Sequence, residues 1–160
     1  MSASQRLAEL GIELPPVAAP VGSYVPALRV GDLVFTSGQL PFVDGQLPAT
    51  GRLGVTAPGH MAGPTIEVAA HCAKISALNA LAAAASVAGG IDNITHVVKL
   101  TVFVASSKRF TSHPQVANGA SDLLVDILGD LGRHTRSAIG VAALPMNAPV
   151  EVEMIVQVAS

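Results

Sequence analysis

Between Pro64 and Gly89 the chain carries Ile66, Ala70, Ala73, Ala77, Leu81, Ala84 and Ala88 at spacings of three and four. That repeat predicts one long helix with an apolar face. Thr65 is placed to cap it and Gly89-Gly90 to end it. A stripe made mostly of alanine lets the helix axis come close to a flat apolar surface, and the flanking sequence offers strands to build one. His96 to Val104 alternates, with Val98, Leu100, Val102 and Val104 on one side and Val97, Lys99, Thr101 and Phe103 on the other. It reads as a strand buried over most of both faces. Arg136–Leu144 and Val150–Val158 read as two more strands, joined by a turn over Pro145–Pro149. Tyr24–Leu28 and Leu33–Ser37 form a hairpin about Gly31-Asp32. A second helix starts near Ser112-His113-Pro114, buries Val116, Ala120, Leu123 or Leu124, and Ile127, and closes at Gly129 and Gly132.

The order implies an α+β fold: a mixed sheet of five or six strands with two helices on one face. Residues 1–20 read as an arm with a short helix, Gln5–Leu10, capped by Ser4 and ended by Gly11; residues 21–160 read as a single domain. The stretch Pro41–Pro64, rich in Gly, Pro and Thr, reads as a loop of a length that is often functional or in contact with a neighbour. No helix remains to cover the second face of the sheet. Charged residues make up 12% of the chain, against roughly 25% in an average domain. Both facts predict a homo-oligomer that covers apolar surface between copies.

A net charge of −2 and 3% aromatic residues provide neither the electrostatic footprint nor the stacking platforms of a nucleic-acid partner. Cys72 is the only cysteine, which excludes a disulfide framework within one chain. Arg6 and Glu9 interrupt any signal-like start, and the uncharged run Ile75–Ile91 is too short and too polar to span a bilayer. The expected setting is cytoplasmic, without a membrane partner. Phosphate-binding, zinc-binding and nucleophile-elbow motifs are absent. His60, His71, His96, His113 and His134 show no close ligand pair, so no metal is expected, and Cys72 has no evident base beside it.

Two charged residues stand out. Arg136 precedes a long uncharged run, and its planar fork suits a carboxylate. Glu151 lies in an otherwise apolar strand, beside Glu153, where a partly dried carboxylate can take a proton from water. An intersubunit salt bridge for each is the plainer alternative.

The surrounding residues resemble the RidA/YjgF family of imine and enamine deaminases, also known as endoribonuclease L-PSP. The resemblance rests on Arg136-Ser137-Ala138-Ile139-Gly140-Val141-Ala142-Ala143-Leu144-Pro145 followed by Val150-Glu151-Val152-Glu153-Met154-Ile155. It also rests on Gly22-Ser23-Tyr24, Thr36-Ser37-Gly38-Gln39-Leu40-Pro41, Lys99–Val104, Phe110 and Asn118. It implies a chorismate-mutase-like fold assembled as a homotrimer with clefts between subunits. It further implies that Arg136 binds a substrate carboxylate, that Glu151 positions or activates water, and that Tyr24, Ser37, Gly38, Asn118 and Ala138 line the cleft. The implied reaction hydrolyses a small enamine or imine acid, such as 2-aminoacrylate, to a 2-keto acid and ammonia without metal or organic cofactor. Ser23, Ala138 and Gly140 depart from the usual Pro, Cys and Glu, and the N-terminal arm and the loop from Gly45 to Pro64 are longer than in compact members. These mark a divergent branch. A trimer that binds a small carboxylate without turnover is the alternative, and the charge argues against a ribonuclease.

If the last two strands pair as a hairpin about Met146-Asn147, Arg136 lies opposite Gln157, and Glu151 is roughly 20 Å away at ~3.3 Å per residue. One chain with that hairpin cannot bring both to one small substrate: either they meet across a subunit boundary, or the strands are not hairpin partners. The expectation is a site shared by two chains.

Overall fold

The computed structural model describes residues 1–20, 22–56 and 62–160; His60 and part of the expected 41–64 loop lie outside them. Five strands form one mixed sheet: β1 (Ala27–Val30), β2 (Leu33–Thr36), β3 (Ile94–Ala105), β4 (Thr135–Val141) and β5 (Val150–Val158). Their spatial order is β1-β2-β5-β3-β4. The expected β1–β2 hairpin forms, and Gly31 makes its turn with φ +61°, a conformation that glycine adopts without a steric cost. Tyr24 to Pro26 lie before the strand rather than in it.

The last two strands are not hairpin partners, the second of the two alternatives left open above. β3 lies between them, pairing parallel to β4 and antiparallel to β5. A parallel pair needs a crossover, and α3 (His113–Leu128) supplies it between β3 and β4. β3 is buried on both edges, whereas β4 forms an open edge of the sheet.

α2 (Ile66–Ala88) is the helix expected from the alanine repeat. The Thr65 hydroxyl accepts from the Val68 N–H, and Gly89 closes the helix at φ +80°. Ala69, Cys72, Ala73, Ser76, Ala77, Ala80, Leu81 and Ala84 are buried, while Ile66 and Ala70 are only partly covered. The buried arc is wider than the expected stripe because the sheet covers one side of α2 and α3 the other. Gly119 of α3 sits on the Ala70 carbonyl so closely that a Cβ there would lie 1.9 Å from the oxygen. By length and composition α2 could cross a bilayer, but 67% of its apolar window is buried within the protein.

Val97 is buried and Val98 exposed, the reverse of the simple alternation. The register with β5 slips between Val97 and Lys99, so one extra residue turns Val98 outward before Leu100, Val102 and Val104 resume the buried side. The core lies between the helices and the sheet face formed by Val34, Leu100, Val102, Val152, Met154 and Val156. On the opposite face Leu28, Val30, Phe35 and Ile139 are exposed, and among the described residues no element packs over them.

The N-terminal arm is docked. Its helix α1 (Ala3–Leu10) is capped by Ser2, not Ser4, in a reciprocal box with Gln5. Ser4 instead donates through its N–H and hydroxyl to Asp92, at 2.8 and 2.6 Å. These bonds hold the Asp92 carboxyl below its ordinary range. Arg6 Nε donates to the Asp126 carbonyl of α3, and Leu7 is buried in the core.

Candidate functional site

Arg136 extends from β4 onto the helix side of the sheet. Its register partner is the fully buried Leu100. Asn118 and Ser121 lie on one stripe of α3 with Pro114, facing β4. Arg136 Nη1 donates to Asn118 Oδ1 at 2.8 Å and to Ser121 Oγ at 3.0 Å, and Nη2 reaches the Pro114 carbonyl at 3.5 Å. All three acceptors are neutral. The ion pairs among the described residues are Arg6–Glu9 and Arg133–Asp130, so Arg136 is oriented while its charge stays uncompensated.

Behind Ser121 stands His134. Its Nδ1 lies 2.6 Å from the Gly132 carbonyl and its Nε2 2.9 Å from Ser121 Oγ. A carbonyl only accepts, so Nδ1 carries the proton. In the neutral ring Nε2 then accepts the Ser121 hydroxyl proton, which leaves the Ser121 lone pairs for Arg136. Neither Ser121 nor His134 stands out in the sequence as a site residue. Their only signal there is helical spacing from Asn118 and closeness to Arg136. Ala138, next on the same side of β4, packs partly against the core.

Glu151 occupies a different place. It lies on β5 between the buried Val150 and Val152, and its register partner is Phe103, so it points to the open face. The main chains of Gln39 and Val152 bond to each other in both directions, at 2.8 and 3.0 Å, and set Gly38 directly over the Glu151 side chain. A Cβ on Gly38 would lie 1.8 Å from Glu151 Oε1. Tyr24, Gly38 and Glu151 line one hollow of about 150 Å³, walled further by Met146 and by Ala18–Pro20 of the N-terminal arm. Ser37 does not face this hollow freely, because its hydroxyl donates to the Val25 carbonyl at 2.6 Å and fixes the backbone after Tyr24. Burial, and secondarily the charge of Glu153, push the Glu151 carboxyl above its ordinary range.

The chain therefore holds two half-sites. Arg136, Asn118 and Ala138 lie at the β4–α3 edge, and Tyr24, Gly38 and Glu151 lie on the open face. Arg136 is level with Met154, three residues from Glu151 and two strands away, a separation of about 14 Å at ~4.8 Å per strand and ~3.3 Å per residue. The reason for the separation is the intervening strand and the opposite faces, not the register of a hairpin. Among the described residues no group of three His, Cys, Asp or Glu side chains is placed to hold a metal. Cys72 is buried in the core, and desolvation pushes its thiol up to about 11, far from a reactive thiolate.

The family described as "YjgF/chorismate mutase-like, putative endoribonuclease" matches residues 4–158. Protein TCP17 of Trypanosoma cruzi is 42% identical over 152 residues, 94% of this chain and 91% of that protein. A protein of unknown function from Agrobacterium tumefaciens has a crystal structure with a TM-score of 0.85 and 39% identity, covering 98% of this chain and 92% of its own. The TdcF protein of E. coli, solved with bound serine, has a TM-score of 0.62 and 26% identity, covering 90% and 94% of the two chains. With the five-stranded mixed sheet and its helices in the same arrangement, these matches establish that the chain belongs to the RidA/YjgF family.

Proposed function

We propose that the protein is a hydrolytic deaminase of small enamine or imine acids, acting at a cleft that two copies of the chain build together. The observation that carries this reading is the state of Arg136: it is held at three points by neutral acceptors and, among the described residues of the chain, paired with no carboxylate. A fixed, uncompensated guanidinium at the edge of a strand is a ready partner for an organic acid. TdcF, the relative solved with serine, supports an amino-acid-like ligand.

Glu151 supplies the second function. The substrate enamine tautomerises to the imine, R–C(=NH)–COO⁻. The imine nitrogen takes a proton from solvent, and as a water oxygen bonds to the carbon Glu151 takes one of the water's protons, which gives the carbinolamine R–C(OH)(NH2)–COO⁻. Glu151 then gives its proton to nitrogen; as the C–N bond breaks and ammonia leaves, the hydroxyl proton passes to Glu151 and on to solvent, and the keto acid remains. The balance is imine plus water to keto acid plus ammonia, with no redox step. A carboxyl raised by burial is suited to both directions of that transfer.

The opposite-face placement of the two groups calls for a neighbour. The exposed apolar residues Leu28, Val30, Phe35 and Ile139 mark the open sheet face as the surface between copies. A homotrimer, as in the resemblance above, closes that surface and sets the β4 edge of one copy against Tyr24, Gly38 and Glu151 of the next. Cytoplasmic location belongs to the same reading. The same separation favours a second reading: if no neighbour brings Glu151 to Arg136, the protein binds small carboxylates without turnover.

The test is ammonia release from imines generated by an amino-acid oxidase. Wild type accelerates it, Arg136→Ala and Glu151→Gln do not, and Arg136→Ala also loses keto-acid binding. Equal rates for wild type and Arg136→Ala would refute the proposal, whereas keto-acid binding without acceleration would leave the second reading.

A further inference from the structure

The long loop before α2 is tied to the end of β3. Leu53 N–H donates to the Ala105 carbonyl and Ser107 N–H to the Leu53 carbonyl, both at 2.9 Å, and Leu53 is buried. This holds Arg52 at the end of β3, where Nη2 gives one bond, at 3.2 Å, to the Ser106 carbonyl. Opposite it, His113 opens α3 with Nε2 at 3.1 Å from Ser106 Oγ and its ring edge-on to Phe110. Lys108 lies on the turn between. The polar groups fit because Gly140 has no side chain: a Cβ there would lie 2.5 Å from His113 Nε2 and 2.8 Å from Ser106 Oγ. Arg52, Lys108 and His113, with Ser106, Ser107 and Phe110, line a hollow of about 340 Å³.

Two features of this hollow have no explanation within the fold. The Ser107 hydroxyl is buried beside Gly54 and has no hydrogen-bond partner among the described residues. Arg52 and Lys108 pair with no carboxylate among the described residues, and no acidic side chain lines the hollow. The chain has only nine Lys and Arg against eleven acids, so two of them and a histidine around one acid-free hollow are a concentration of charge that the composition does not predict.

We infer that Arg52, Lys108 and His113 form a second oxyanion site, which takes a carboxylate or phosphate group beside Ser107. The guanidinium fork and the ammonium meet the charge. Pro114, whose carbonyl Arg136 touches, follows His113, and Gly140 lies on the same side of β4 as Arg136. The site thus adjoins the Arg136 half-site. The oxyanion has two sources: a free anion, or the far acid group of a dicarboxylate whose first carboxylate is on Arg136. The second source rests on the function proposed above.

The experiment is an amide-resolved NMR titration of the whole protein with inorganic phosphate, propanoate and succinate, using wild type, Arg52→Gln, Lys108→Glu and Arg136→Ala. Lys108 is exposed, so its charge reversal tests the site without endangering the fold. Phosphate is expected to shift the Ser107 and His113 amides, with affinity reduced about tenfold in Arg52→Gln and Lys108→Glu and unchanged in Arg136→Ala. If a substrate is the source, succinate binds tighter than propanoate by a similar factor, and Arg52→Gln abolishes that gain. The inference is overturned if no anion moves those amides, or if both variants bind phosphate and succinate as wild type does. The Arg136 dependence of propanoate binding is a separate readout and decides the proposed function alone.

Discussion

Gly38→Ala separates the chemistry of the site from the stability of the fold. Gly38 does not occupy the left-handed region, so alanine brings no backbone strain there. The new Cβ would lie 1.8 Å from Glu151 Oε1, 2.7 Å from Cδ and 3.0 Å from Cγ. Ordinary contact starts near 3.4 Å, so the carboxylate oxygen must retreat by about 1.6 Å, the difference between those two distances. The obstacle is the end of a flexible side chain, and rotating Glu151 off its preferred rotamer costs only about 1 kcal/mol. The variant therefore folds. Moving a proton-transferring group by more than 1 Å is expected to lower turnover on the order of 100-fold. The assay is ammonia release from an oxidase-generated imine, with KM followed alongside kcat and a thermal melt as control. The expected result is a loss in kcat, little change in KM because Arg136 is untouched, and a melt within a few degrees of wild type. Full activity in a well-folded Gly38→Ala protein would refute the role given to Glu151.

Three further outcomes follow from other contacts. Ser121→Ala removes one acceptor from Arg136 and the link to His134; KM is expected to rise about tenfold, the cost of one hydrogen bond to a charged group, while kcat holds. The raised Glu151 carboxyl means that the folded state binds its proton more tightly than the unfolded chain does. Stability from this group is therefore present at acid pH and lost as pH rises through the folded-state pKa. Glu151→Gln should accordingly melt higher than wild type at pH 7, with the difference vanishing on acidification. Gly119→Ala, by contrast, drives a Cβ to 1.9 Å from a backbone oxygen of α2; no side chain can turn aside, and denaturant titration should show a loss of about 3 kcal/mol or a failure to fold.

Much of the fold is legible because local pattern and tertiary demand agree. The alanine repeat, the cap at Thr65, the stop at Gly89 and the Gly31 turn depend on neighbours in sequence, and each element appears where its residues place it. Strand order is different. Nothing local in Arg136–Val158 distinguishes a hairpin from two strands that admit a third between them; the crossover through α3 decides it. The slip at Val98 is likewise invisible in a sequence of alternating apolar residues, because it is a property of the pairing with β5. At the site, Arg136 is conspicuous as a charge followed by a long uncharged run, and Glu151 as one of two carboxylates in an otherwise apolar strand. Ser121 and His134 are ordinary polar residues until folding brings them to Arg136, and Arg52 gains its place only when Leu53 docks against Ser106.

Subunit mixing tests the shared cleft most directly. Arg136→Ala chains have an intact Glu151, and Glu151→Gln chains have an intact Arg136. Unfolding, combining and refolding the two inactive proteins in equal amounts assembles mixed rings. If each cleft takes Arg136 from one copy and Glu151 from the next, each requirement is met with a chance of one half. About one quarter of the clefts are then whole, and about one quarter of wild-type activity should return. No recovery, in mixtures shown by mass spectrometry to contain both chains, would contradict the shared site.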